Sequence, residues 1–268
     1  MLFLTDTHCH LYMHDFKHDI NDVINRAITG GVNKILVPGI DYETSRMALD
    51  LTIQYPDVLY AAIGIHPNST VADISLEIKN IEDLAKLPFV YAIGEIGLDF
   101  YRDFVESPKQ IEIFQEMLEI SILVCKPISI HNRNADGEII IYLQTWFERL
   151  EKANCGLITA PGVFHSFDGS SHILDWGLSH NFYFGISGPV TFNKSVELRE
   201  AVKRIDINHL LLETDSPYLS PAPFRGKRNE PVNVNVIAEK IAEIKGLDVG
   251  EVIKKTSENA SKLFGWDK

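Results

Sequence analysis

Met1-Leu2-Phe3-Leu4-Thr5-Asp6-Thr7-His8-Cys9-His10 begins as an apolar run and closes on two histidines one residue apart. Read as a strand, its successive side chains point to opposite faces. His8 and His10 then share one face at the C-terminal end of the strand, together with Leu2, Leu4 and Asp6. Two imidazoles held this way can grip one metal ion, with Asp6 orienting one ring from behind. A polar strand exit explains the same pair, so the rest of the chain decides.

Counting the run at 3–6, eight short apolar runs recur; the others are 34–37, 59–65, 90–95, 128–131, 163–165, 182–186 and 210–215. Runs this apolar suit strands buried on both faces, as in a parallel sheet. Helical patterns separate them. Ser107-Pro108-Lys109-Gln110 reads as an N-cap, a proline at the first helical position and a capping-box partner. Ile111, Phe114, Met117, Leu118 and Ile122 follow at helical spacing. A helix over 16–29 ends at Gly30-Gly31, one after Asp41 ends before Pro56, and one over 74–87 ends before Pro88. Asp248-Val249-Gly250-Glu251 opens a last helix towards Phe264 with capping-box spacing. Eight βα units in 268 residues predict one α/β domain over 1–268, a (β/α)8 TIM barrel.

Composition agrees. Hydrophobic residues make up 45%, enough for a large core. No apolar run is long enough to span a bilayer, and the first run lacks a preceding basic region, so neither a membrane segment nor a signal peptide is expected. Cys9, Cys125 and Cys155 show no paired spacing, which fits a reducing cytoplasm better than a disulfide framework. The net charge of −12 argues against a broad basic surface that coats nucleic acid, but not against local phosphate binding.

The polar residues fall at the strand ends. They are His8 and His10 on the first strand, His66 on the third, Glu95 on the fourth, His131 and Arg133 on the fifth, His165 on the sixth, and Glu213 and Asp215 on the eighth. Barrel active sites occupy that face. Alone, each is an ordinary strand-end residue. Together, four of these imidazoles (His8, His10, His131 and His165) and two of the carboxylates (Glu95 and Asp215) would converge, and close carboxylates repel without a cation. A catalytic zinc commonly takes three protein ligands, so six candidates suggest two divalent ions with a carboxylate between them. Zinc, manganese, iron and magnesium are all compatible with this donor set. His14, His18, His172 and His180 read as surface residues, and His209 as a structural one at the opposite mouth.

After the eighth strand comes Pro223-Phe224-Arg225-Gly226-Lys227-Arg228-Asn229-Glu230-Pro231. Arg225, Lys227 and Arg228 above the barrel mouth can receive phosphates, although a short charge run is more often a solvated loop. Arg133 and Lys194 are weaker candidates of the same kind.

Five stretches resemble the TatD family of metal-dependent deoxyribonucleases, a branch of the metallo-dependent hydrolase barrels. They are Thr5-Asp6-Thr7-His8-Cys9-His10-Leu11, Gly64-Ile65-His66-Pro67, Gly94-Glu95-Ile96-Gly97-Leu98-Asp99, Glu213-Thr214-Asp215-Ser216-Pro217-Tyr218-Leu219 and Arg225-Gly226-Lys227-Arg228-Asn229-Glu230-Pro231. One departure is Tyr12, where the family commonly has Asp. The resemblance implies a two-metal hydrolase, a DNase of the exonuclease kind, acting on DNA. By motif, His8, His10 and Asp215 would hold one ion, His131 and His165 the other, and Glu95 would bridge. His66 and Asp215 would be catalytic, His66 near the substrate and Asp215 also accepting a proton from the attacking water. No obligate protein partner is evident. Hydrolysis of another ester or amide bond, such as aminoacyl-tRNA, competes on the same scaffold, as does a non-catalytic barrel with structural metal.

Overall fold

The computed structural model describes residues 3–153 and 156–266. Eight parallel strands follow one another around a barrel: β1 Leu4–Asp6, β2 Val32–Pro38, β3 Leu59–Ile63, β4 Val90–Asp99, β5 Ile128–Arg133, β6 Gly162–Phe164, β7 Tyr183–Ile186 and β8 Leu210–Leu212. Helices α1 Ile20–Thr29, α2 Tyr42–Gln54, α3 Ile74–Ala85, α4 Ser107–Val124, α5 Asp136–Ala153, α6 Ser171–Ser179 and α7 Val196–Arg204 connect successive strands. Helices α8 Val234–Lys245 and α9 Val249–Phe264 follow β8. The eighth strand meets the first through backbone bonds from Thr7 to Leu212, Asp215 to His8 and His10 to Ser216. This is the (β/α)8 architecture the alternating runs predict.

Strand alternation sorts the core into two clusters. Ile35, Val37, Ala61, Ile63, Phe182, Phe184, Leu210 and Leu212 pack with residues from the helices. Their neighbours Leu36, Tyr60, Ala62, Tyr183 and Leu211 form a second cluster with Phe264 and Trp266. The second set is therefore the barrel interior, plugged at its base by the end of α9. Lys126 and Lys245 donate to carbonyls ending α3 and α7, where cations are favoured.

Several local expectations change. Residues 14–16 form a separate 3-10 turn, and α1 starts at Ile20. Ser107 is the first residue of α4 rather than its cap, which is Glu106. Gln110 is buried and bonds the Asp99 backbone and the Val105 carbonyl, so it serves the β4 loop instead of a capping box. Asp248 does cap α9, through Gly250 N–H. His180 is half-buried and stacks on Trp176, not a surface residue. His209 accepts its packing role, with Nδ1 3.0 Å from the Phe182 carbonyl. Cys9 is a buried free thiol, but Cys125 is disulfide-bonded, because sequence spacing does not show which Cα atoms approach. Cys155 and Leu2 lie outside the described residues. Among the described residues no helix is long and apolar enough to cross a membrane.

Candidate metal centre

Glu95 sits at the middle of the mouth, 3% exposed. Its Oε2 lies 3.3 Å from His8 Nε2 and 3.6 Å from His10 Nε2. Its Oε1 lies 3.0 Å from His131 Nδ1, 3.4 Å from His66 Nε2 and 3.6 Å from His165 Nε2. Asp215 Oδ1 is 3.5 Å from His10 Nε2 and 4.0 Å from His8 Nε2. All seven metal or catalytic candidates from the sequence thus meet in one cluster.

Alternation alone brings three of them there. His66, His131 and His165 continue the interior parity of Ala62, Ser129 and Val163. Glu95 does not: Ala92 faces inward, so unbroken alternation would turn Glu95 out. A register shift between Ile93 and Ile96 reverses the faces, since a one-residue slip swaps every side chain. At the start of β1 the extra residue is Asn33 of β2, so β1 keeps its alternation over Leu4–Asp6 and changes face only beyond the end of the strand. Leu4 joins the helix-facing core while His8 and His10 turn to the mouth, so the predicted common face with Leu4 is corrected. Asp6 is corrected too. Its carboxylate accepts from Thr214 N–H at 2.9 Å, Thr214 Oγ1 at 2.6 Å and His8 N–H at 3.2 Å, and so fastens β1 to the exit of β8. Strand β8 stops at Leu212, and Asp215 adopts φ 56°, a left-handed conformation that costs a non-glycine residue energy.

Outer contacts fix the imidazole tautomers. His10 Nδ1 lies 3.2 Å from the Pro38 carbonyl, which can only accept, so Nδ1 carries the proton and Nε2 keeps its lone pair. The Tyr12 hydroxyl is 2.9 Å from the same nitrogen. His66 is the reverse. Its Nδ1 accepts from Asn68 N–H at 3.0 Å, leaving the proton on Nε2, so neutral His66 offers a hydrogen bond rather than a lone pair. Glu213, fully buried, lies 3.0 Å from His165 Nδ1.

Asp99, in the strand-four motif, is a functional residue that the strand-end reading misses. Its Oδ2 lies 3.3 Å from His131 Nε2 and takes Asn68 Nδ2 at 2.7 Å, while Oδ1 takes the Tyr101 and Arg102 N–H groups at 3.0 Å. Its position four residues after Glu95, on the same face, was the available signal.

Burial pushes the Glu95 carboxyl up, but the imidazoles of His66, His165 and His8 outweigh it and hold it well below the carboxylate range. Asp215 is likewise kept ionised: burial raises it, and His10, His165 and His8 more than compensate. The His8 and His165 rings stack with centroids 3.4 Å apart, and one such pair accommodates one proton. Burial lowers His8, whereas Glu213 and Glu95 overcome burial to raise His165. The donor set fits divalent cations: His8 and His10 aim Nε2 atoms at each other across 3.2 Å, beside two carboxylates. Three donor groups lie within 4.8 Å, namely His8, His10 and Glu95; His8, His165 and Glu213; and His66, Glu95 and His131. The tautomer of His66 makes it the poorest ligand of the three sets.

The cations divide. Arg228 forms a fork with Asp19 at 2.7 and 2.8 Å, reaches Glu230 at 2.7 Å and covers the buried Phe16 ring, so it staples the loop to the 3-10 turn and the start of α1. Arg225 is exposed and lies 4.3 Å over the Phe192 ring, and Lys227 is exposed. Arg133 lies 3.9 Å over the Tyr101 ring. Lys194 lines a hollow with Ser166, Pro189 and Leu198.

Comparison with known proteins points one way. The family model for TatD related DNase matches residues 5–265. A metal-dependent hydrolase of Bacillus subtilis, YabD, is 39% identical over 98% of this chain and 99% of its own length. The 3'-5' ssDNA/RNA exonuclease TatD of Edwardsiella piscicida is 34% identical over 93% of this chain and 94% of its own. The solved structure of YJJV, a TatD homologue from Escherichia coli, superposes with a TM-score of 0.89 at 26% identity, covering 98% of each chain.

Proposed function

The chain belongs to the TatD-related DNase family of metal-dependent hydrolases, and from that premise we propose that it hydrolyses DNA phosphodiester bonds at a two-metal centre, as an exonuclease. The observation that carries the reading is the split of Glu95, whose two oxygens face different sets of imidazoles. In this reading His8, His10 and Asp215 would hold one divalent ion and His131 and His165 the other, with the Glu95 carboxylate shared between the two sets. Ions bound there supply positive charge against which a water gives up its proton and a phosphate is neutralised.

The chain's own groups do the rest. Asp215, kept as a carboxylate, accepts the proton of the attacking water. His66 presents Nε2–H towards the reacting phosphate, in keeping with its bond from Asn68. The Pro38 carbonyl and Tyr12 hold the His10 ring, and Asp99 holds that of His131. Arg133, Arg225, Lys227 and Lys194, with no carboxylate partner among the described residues, are the cations from these loops left to receive phosphates.

The test is direct. Metal-stripped protein is re-supplied separately with magnesium, manganese and zinc, then given end-labelled single-stranded DNA, duplex DNA and RNA. Ion-dependent shortening from one end is expected. Turnover of ester or amide substrates with no cleavage of any nucleic acid would overturn the proposal.

A further inference from the structure

Among the described residues four aromatic side chains are more than about one-third exposed: Phe89, Tyr101, Phe104 and Tyr218. Phe89 precedes β4 at the closed end. The other three lie on loops leaving β4 and β8, at the mouth that holds the metal centre. Tyr101 is the most exposed, at 62%, and its backbone is tied to the cluster. Its N–H donates at 3.0 Å to Asp99 Oδ1, and the other oxygen of that carboxylate lies 3.3 Å from His131 Nε2. One carboxylate therefore sets the distance from the ring's backbone to the cluster. Arg133, two residues past His131, lays its guanidinium 3.9 Å from the ring centroid. One ring face is covered, and the side chain remains mostly exposed.

We infer that the Tyr101–Arg133 pair is a stacking subsite for an unpaired nucleobase of the strand being cut, a role that rests on the nucleic-acid reading above. Every base presents a π face, so an aromatic ring binds it regardless of sequence. Arg133 pairs with no carboxylate among the described residues, so its charge is free for the adjoining phosphate in a chain of net charge −12. The ordinary alternative is a loop staple. Staples are already present: Asp99 takes the Tyr101 and Arg102 N–H groups, and Gln110 bonds the Asp99 backbone. A ring that only closed the loop would be covered, as Phe16 is beneath Arg228. A base that must stack here is out of a helix, so a paired end is a poorer substrate than a free one.

The experiment uses the metal-replete protein and end-labelled single-stranded oligothymidylate, either intact or with abasic residues at the end that is shortened. Wild type should show a KM about 10-fold lower on the intact strand than on the abasic one. Tyr101→Ala should raise KM on the intact strand by about the same factor, leave the abasic KM and kcat unchanged, and Tyr101→Trp should restore discrimination. Wild type that cleaves both strands with equal KM overturns the inference and leaves the nuclease reading standing. So does a Tyr101→Ala variant with a lowered melting temperature and an unaltered ratio. Cleavage of neither strand with any ion overturns the nuclease reading and the subsite together. Should Tyr101→Ala fail to fold, the wild-type ratio of intact to abasic KM decides alone.

Discussion

At the scale of single residues, one position combines charge, placement and backbone cost. Asp215 is held ionised within reach of His8 and His10, on a left-handed backbone that the surrounding structure must enforce. Asp215→Asn should lower kcat by a factor of about 10²–10⁴ while the barrel stays folded. Single-turnover cleavage and thermal melting on the same preparation separate this from a capping role, which would lower the melting point and spare turnover. Arg228 should behave oppositely, because its guanidinium is spent on Asp19 and Glu230. Arg228→Ala should lower the melting temperature and leave KM on DNA unchanged; a raised KM with unaltered melting would return it to the substrate side. The same pair fixes an acid dependence. The Arg228 fork lowers the Asp19 carboxyl from 3.8 to about 2. A carboxyl depressed in the folded state adds stability above its unfolded value and loses it as pH falls through the folded one. Asp19→Asn should therefore lose less stability than wild type as pH drops from 3.8 to about 2, which acid titration of the melting temperature would read.

Elements act through register. Gly97 pairs with His131 across β4 and β5, at φ 143°, and a Cβ there would lie 1.9 Å from the His131 carbonyl oxygen. The ladder that aligns Glu95, Asp99 and His131 thus depends on the missing side chain. Gly97→Ala should destabilise the fold by at least about 2 kcal/mol in chemical denaturation, the range of enforced clash and strain. It should also weaken ion binding, since His131 would shift from Glu95. A neutral effect on both would mean that β4 can slide without moving the cluster.

The whole molecule brings the ends of β1, β3, β4, β5, β6 and β8 onto one cluster of acidic and imidazole groups. Such a site favours the folded state when a cation binds it, by mass action. Dialysed protein should hold about two divalent ions per chain at saturation, reasoning from the six converging ligands. Its melting temperature should climb with ion concentration, and Glu95→Gln should reduce the uptake of both ions. Elemental analysis with unchanged content in Glu95→Gln, His131→Ala and His165→Ala would remove the metal from this cluster.

Periodicity and composition determined the architecture here, because burial on both faces and helix stop signals are local properties that survive in sequence. They also placed His66, His131 and His165 at the mouth, since those strands keep strict alternation up to their ends. Glu95, His8 and His10 were read at the right end of their strands, but Glu95 is turned inward by the irregularity at Ile93/Ile96, a relation between strands, and His8 and His10 by the path of the chain beyond Asp6 against β8. Asp6 and Arg228 took other partners because Thr214, Asp19 and Glu230 approach only in the closed barrel. Tyr101 and Asp99 gained their roles the same way, through His131 and Arg133 some thirty residues further along. Sequence carries what each segment prefers; which side chains meet is decided by the long-range pairing that closes the sheet.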